Sequence, residues 1–281
     1  MYYDSIASRL RSIAAIFLLT PLATGWTGCS GKSGSAPQVL RLATATSTRD
    51  SGLLNVLIPP FEQLAGVRVQ VIATGTGKAI ELGKTGEVDV LFVHAQAAEE
   101  KFMADRHGVR REDVMVNTFE LLGPPHDPGA VRGLSASAGL QRIAASGARF
   151  VSRGDTSGTH ERELKLWNAA GGRTDWEEYR ESGQAMGATL MIADELSAYT
   201  LCDRATYLRF RDQIELEPLA VPSEELRNPY GVIVVNSSKH PSVRADIADE
   251  FVEYLISQRG QRIIAEFEVD GEKMFAPLRF P

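Results

Sequence analysis

The chain has 281 residues, 43% hydrophobic and 23% charged, with a formal net charge of −6. This is ordinary soluble-protein composition, and the length allows one large domain or two lobes of usual size. The acidic balance argues against a broad nucleic-acid footprint. It leaves an anionic ligand open, because a buried anion site is set by local donors.

Arg9 and Arg11 precede an apolar run, Ile13 to Leu22, that is too short to span a bilayer and predicts a secretory signal peptide over residues 1–28. Cys29 follows Thr27-Gly28 directly, the acceptor arrangement of a bacterial lipoprotein, although Trp26 stands where Leu is usual. The expectation is membrane attachment through a lipid on Cys29; the alternative is a cleaved signal with Cys29 in a loose tail. A lipidated Cys29 leaves Cys202 without a partner, as a small buried residue. Residues 29–38 are Gly- and Ser-rich and predict a flexible tether.

Val39 to Ala43 predicts a strand, and Ser51 to Leu64 a helix with Leu53, Leu54, Leu57, Ile58 and Phe61 near one face. Val67 to Ala73 alternates as a strand, Gly75 to Gly83 opens a helix, and Val88 to Val93 is an apolar run suited to a strand covered on both faces. Strand, helix, strand, helix, strand predicts parallel βαβ units. A second lobe starts near Phe119–Gly123, with helices at Leu134–Ser146 and Thr159–Ala170 and a strand at Ala148–Ser152. Tyr230 to Asn236 predicts a strand, and Ala245–Gln258 and Gly260–Phe267 a helical end. Residues 39–118 and 232–281 are therefore expected to form one lobe, and 119–231 the other.

Three segments pass from a strand to a helix through Gly, Ser and Thr: Thr44 to Thr48, Thr74 to Lys78, and Ser152 to Thr159. In open α/β sheets ligands bind beyond the carboxyl ends of strands. Helix N-termini there offer free N–H groups and a positive dipole end, hydroxyls donate without net charge, and Gly lets the backbone come close. Capping alone also selects Ser, Thr and Asp at these places. Three such turns, with the always-charged fork of Arg153 in one of them, point to a cage of donors for a compact anion. Asp155 either orients Arg153 or faces the ligand, and the sequence leaves that open, as it does for Asp50.

Other chemistries fit less well. Gly77-Lys78 lacks the Gly at 72 and the Ser or Thr at 79 of a phosphate-binding P-loop, since Ile72 and Ala79 stand there, and Lys78 reads as solvated. Asp155, Ser157 and His160 lie too close in sequence for a hydrolytic triad, and no Gly-x-Ser-x-Gly elbow is present. The five His show no metal-ligand spacing. No catalytic residue, cofactor or protein-held metal is expected, with an enzyme on the same fold as the competing class.

With these residues in view, the chain resembles the tungstate-binding proteins of ABC importers, within the type II periplasmic binding protein family. The resemblance is carried by Thr46 to Leu53, Gly75-Thr76-Gly77, Asp89 to His94, Ser152 to Asp155, Ser157 to His160, Gly187 to Leu190 and Asn228 to Ile233. It implies a two-lobe α/β fold with crossing hinge strands, an anion held in the cleft, and an ABC permease and ATPase as partners. It further implies a ligand set of Thr46, Ser47, Thr76, Ser152, Arg153 and Thr189 or its neighbours. Ala45, Thr74, Lys78 and Thr156 depart from the pattern. Ala45 removes one hydroxyl, so a backbone N–H has to serve there.

A phosphate site benefits from a buried acceptor, because phosphate keeps a proton near neutral pH. Tungstate, molybdate and sulfate suit a donor-only cage, and a carboxylate facing them is repelled. Spacing does not separate tungstate from molybdate; that preference rests on the resemblance, with molybdate, sulfate and phosphate receptors as alternatives.

Overall fold

The computed structural model describes residues 38–280. The expected signal segment, Cys29 and the tether through Pro37 lie outside the described residues. The first elements are β1 (Val39–Ala45), α1 (Thr46–Asp50), α2 (Leu53–Ala65), β2 (Arg68–Thr74), α3 (Thr76–Thr85), β3 (Val90–Val93) and α4 (Gln96–Ala104). The long strand β4 (Gly108–Gly123) leads to α5 (Ala136–Ser146), β5 (Phe150–Ser152), α6 (Gly158–Ala169), β6 (Tyr179–Glu181), α7 (Met186–Glu195), β7 (Thr200–Asp203), α8 (Arg204–Phe210) and β8 (Glu217–Pro218). The chain returns through β9 (Arg227–Val235) to α9 (Ala245–Ile256), α10 (Gln258–Glu266) and the short strands β10 (Glu268–Val269), β11 (Glu272–Lys273) and β12 (Ala276–Pro277).

β1 runs parallel to both β2 and β3, as the βαβ reading requires. β9 is antiparallel to β3 and to β4, giving the order β2-β1-β3-β9-β4-β12. β4 serves two sheets. Its residues Gly108 to Thr118 pair with β9, whereas Phe119 to Gly123 pair with β7 and β8. β5 pairs in parallel with β6, and Val151 N–H donates to the Tyr199 carbonyl just before β7. The chain therefore changes sheets between Thr118 and Phe119. On the return, β9 is already paired in the first sheet from Arg227.

Each sheet has its own core. Leu40, Leu42, Leu57, Phe61, Phe92 and Phe251 pack on the first, with Phe61 and Phe251 edge to face at 4.9 Å. Phe119, Leu140, Phe150, Trp167 and Tyr199 pack on the second. Fully burying an apolar side chain of this size contributes about 1.5–3 kcal/mol, so either core supports its own layer. α8 straddles them. Ala205 and Leu208 join the first core, while Tyr207 and Phe210 pack against Leu122, Val151, Leu190 and the buried Cys202.

Two expectations change in detail. The helix expected over Ser51–Leu64 starts two residues later, as α2 from Leu53, and the short α1 that ends at Asp50 precedes it, with Gly52 between them at φ +86°. That left-handed turn is cheap only for Gly. The sequence marked Phe119–Gly123 only as the start of a second lobe, and these residues are the end of the long strand β4. Its first half carries Arg110, Arg111, Glu112 and Asp113, whose charges hide a strand from hydrophobic periodicity. Arg111 pairs with the buried Glu99, whose carboxyl burial pushes up to about 7.

Candidate functional site

The carboxyl ends of β1, β2 and β3 converge on one place. β1 passes into α1 at Thr46, β2 into α3 at Thr76, and β3 ends at Val93, just before His94. Across the cleft, β5 ends at Ser152, and the turn Arg153 to Ser157 leads into α6. Thr46, Ser47, Thr76, His94, Arg153, Ser157 and Thr159 line one small cavity between these ends. Among the described residues, no carboxylate lines it. The two sides approach closely. A Cβ on Gly158 would stand 2.6 Å from the His94 carbonyl oxygen, and one on Gly77 would stand 2.5 Å from Thr156 Oγ1.

Capping explains only part of this composition. Ala45 and Gly75, the N-cap positions of α1 and α3, supply no side-chain acceptor to the first-turn N–H groups. Those donors stay free for a ligand. At α6, Ser157 Oγ does accept from His160 N–H and caps the helix.

Among the described residues lining the cavity, Arg153 is the only Lys or Arg. Its side chain is 8% exposed and pairs through Nη2 with Asp155. Its Nε is buried with no hydrogen-bond partner. Leaving a buried charged donor unpaired costs more than a typical hydrogen bond contributes, so the cavity is ready for an acceptor. Asp155 also accepts from Ser157 N–H at 3.1 Å, which ties the Arg153 turn to the start of α6. Asp50 is exposed and pairs with Arg49. Lys78 is exposed on the first turn of α3.

Four of the six residues in the expected ligand set, Thr46, Ser47, Thr76 and Arg153, face the cavity together. Ser152 and Thr189 do not line it. Ser152 Oγ donates to Glu163 at 2.7 Å and accepts from Gly154 N–H at 3.1 Å. Thr189 Oγ1 bonds to Ser182 Oγ at 2.7 Å, while its neighbours Ala185 to Ala188 line the adjoining part of the cleft with Thr46 and Ser47. Both hydroxyls buttress the walls. Glu163 is the centre of the Ser152 support: 1% exposed, it also accepts from Trp167 Nε1 and Tyr179 OH.

His94 was legible only as part of a motif. Its ring lies 3.2 Å from Ser47 Oγ through Nε2 and 3.0 Å from Asn228 Oδ1 through Nδ1. It stacks on Tyr230 at 4.6 Å. Burial pushes its pKa below the ordinary imidazole value; Asp203 and Asn228 act against this, and Arg153 reinforces it. His160 shifts the other way, raised chiefly by the Glu163 carboxylate beside it.

The Asp155–Ser157–His160 trio does not form a relay. Asp155 holds Arg153, Ser157 caps α6, and the His160 ring faces Ser152 and Glu163. Among the described residues, no group of three or more His, Cys, Asp or Glu could hold a metal ion. No helix among them is long and apolar enough to cross a membrane.

Residues 31–259 match the profile of the PBP superfamily domain. The chain is 40% identical over 282 residues to a tungstate-binding protein TupA of Peptoclostridium acidaminophilum, covering 96% of this chain and 98% of that one. The crystal structure of the tungstate ABC transporter from Geobacter sulfurreducens shares 46% identity, with 82% of this chain and 98% of that chain covered, at a TM-score of 0.76. The TupA tungstate-binding protein of Desulfovibrio alaskensis G20 shares 40% identity, with 86% and 99% covered, at a TM-score of 0.77. The fold is the two-lobed α/β architecture expected from the sequence, with β4 as a strand shared by both sheets and β9 paired beside its first half. The chain thus belongs to the PBP superfamily and, within it, to the family of the TupA tungstate-binding proteins.

Proposed function

We propose that this protein is the extracytoplasmic solute-binding component of an ABC importer and that it captures tungstate between its lobes. One observation carries the reading: a carboxylate-free cavity gathers the uncapped starts of α1 and α3 and a buried Arg153 with a free Nε. Such a cage offers donors from both sides of the cleft and suits a tetrahedral oxyanion that carries no proton. The relatives bearing tungstate names support the choice of anion. The proposed contacts are Thr46, Ser47, Thr76 and Arg153, joined by Ser157 and Thr159, with Ser152 and Thr189 acting behind them. The protein binds and releases its ligand without breaking a bond, and the permease and ATPase of the importer are its partners.

The change of sheets between Thr118 and Phe119 supports a hinge there, with residues 39–118 and the C-terminal elements moving against the middle of the chain. We further propose that Cys29 carries the lipid that holds the protein at the membrane surface. Mass spectrometry of the membrane fraction should find an acylated Cys29; an unmodified Cys29 in an intact soluble chain refutes this.

Calorimetry of the protein lacking residues 1–28 against tungstate, molybdate, sulfate and phosphate tests the main reading. Tungstate should bind most tightly. Tighter binding of phosphate would demand an acceptor in the cage and overturn the reading.

A further inference from the structure

His94 stands where β3, β4, β9 and the anion cavity meet. It follows β3, and its ring stacks on Tyr230 of β9 and Phe119 of β4, at 4.6 Å and 6.5 Å between centroids. Its Nδ1 lies 3.0 Å from Asn228 Oδ1, and Asn228 Nδ2 donates to Asn117 Oδ1 at 2.7 Å. Asn117 and Asn228 are partners on β4 and β9. Because Asn228 gives its amide hydrogens to Asn117, its oxygen faces the ring, and Nδ1 carries the imidazole hydrogen. In the neutral ring Nε2 is then an acceptor. It takes the hydroxyl hydrogen of Ser47, 3.2 Å away.

This orientation is wrong for a dianion. With its hydrogen turned to His94, the Ser47 oxygen presents lone pairs to the cavity. A proton on Nε2 reverses the bond: the ring donates to Ser47 Oγ, and the Ser47 hydrogen is free to point at the anion. The dianion in turn favours the charged ring. We propose that His94 is a positioning residue for the anion site, acting through Ser47, and that it takes up one proton from solvent as the dianion binds. The inference rests on the oxyanion-receptor reading and adds a proton to it.

The groups around the ring allow this. Asp203, at the start of α8, favours the charged ring, and Arg153 opposes it. Glu161, Arg162 and Lys165 of α6 line the small cavity on the other side of His94. Burial keeps the ring neutral in the free protein near neutral pH. With a dianion beside Arg153, the opposing charge is compensated.

The test is titration calorimetry of the protein lacking residues 1–28 with sodium tungstate, from neutral to mildly alkaline pH, in buffers of different ionisation enthalpy. The expected result is uptake approaching one proton per anion, with affinity falling by up to about tenfold per pH unit as pH rises. His94→Gln should lose the uptake and flatten the pH profile. His160→Asn should keep both, which separates His94 from the other histidine near the site. Tungstate binding without proton uptake, or uptake undiminished in His94→Gln, overturns this inference and leaves the receptor reading standing. If His94→Gln does not fold, Ser47→Ala decides: uptake lost supports the relay, and uptake retained overturns it. No tungstate binding at any pH overturns the receptor reading, and this inference with it.

Discussion

Arg153 and Asp155 form an ion pair that leaves Arg153 Nε buried and without a partner. Asp155 also holds Ser157 N–H, so one carboxylate fixes both the guanidinium and the start of α6. The pair is a support for the cavity, and the unspent donor is its reactive end.

Arg153→Ala should therefore weaken tungstate binding by at least about tenfold. A charge-assisted hydrogen bond contributes roughly 1.5–3 kcal/mol, and tenfold in affinity is about 1.4 kcal/mol. Arg153→Lys should recover only part, since a point charge does not replace the planar fork. Affinity and melting temperature measured on both variants decide the role. Lost stability with unchanged affinity would reduce Arg153 to a brace for Asp155.

Gly158 marks where the two sides of the cleft touch. A methyl group there meets the His94 carbonyl, which is backbone and yields little. Overpacking of this kind costs roughly 1–3 kcal/mol. Gly158→Ala should lower tungstate affinity by roughly 5- to 150-fold while barely changing the melting temperature of the ligand-free protein. Small-angle scattering should show less compaction on adding tungstate than in the wild type. A variant that binds and compacts normally would show that the cleft closes without this contact.

Glu163→Ala should destabilise the second lobe. It removes the acceptor of Ser152, Trp167 and Tyr179 and leaves three donors facing a buried gap. A loss of at least about 2 kcal/mol is expected, and a chain of this size loses about 2–4 °C per kcal/mol. Thermal unfolding followed by Trp fluorescence reads it directly, because Trp167 sits on the same carboxylate. An unchanged midpoint would mean that the three donors find other partners.

The two histidines near the site should give opposite pH dependence to stability. His160 has a raised folded pKa, so the unfolded chain binds fewer protons. Its contribution is complete below the ordinary value of 6.5 and is lost as pH rises through the folded pKa. His94 has a lowered folded pKa, so stability is lost as pH falls below 6.5 towards that value. His160→Asn should flatten the alkaline side of a stability–pH curve, and His94→Gln the acid side. Denaturant midpoints across this range check the assignment; the same side flattening in both variants would contradict it.

The parallel β1–β2–β3 unit, helix starts close to Thr76 and Gly158, and a guanidinium, Arg153, just before the second of them were legible in the sequence. Their signals are local: apolar runs, turns of Gly, Ser and Thr, and a guanidinium beside a helix start. The charged half of β4 was not legible, because its charges spoil the apolar pattern. Nor did spacing assign the hydroxyls. Thr46, Ser47, Ser152 and Thr189 look alike in sequence. Only the folded chain sends the first two into the cavity, turns Ser152 onto Glu163 and turns Thr189 onto Ser182. His94 is the clearest case. Its neighbours Ser47, Phe119, Asn228 and Tyr230 lie at least 25 residues away, and residues far apart in the chain meet only through the sheet order. The sequence by itself determined the parallel strands, the turns that follow them and the kind of donors those turns carry. The tertiary structure decided which donors are left unpaired, because pairing depends on long-range contacts that no local pattern contains.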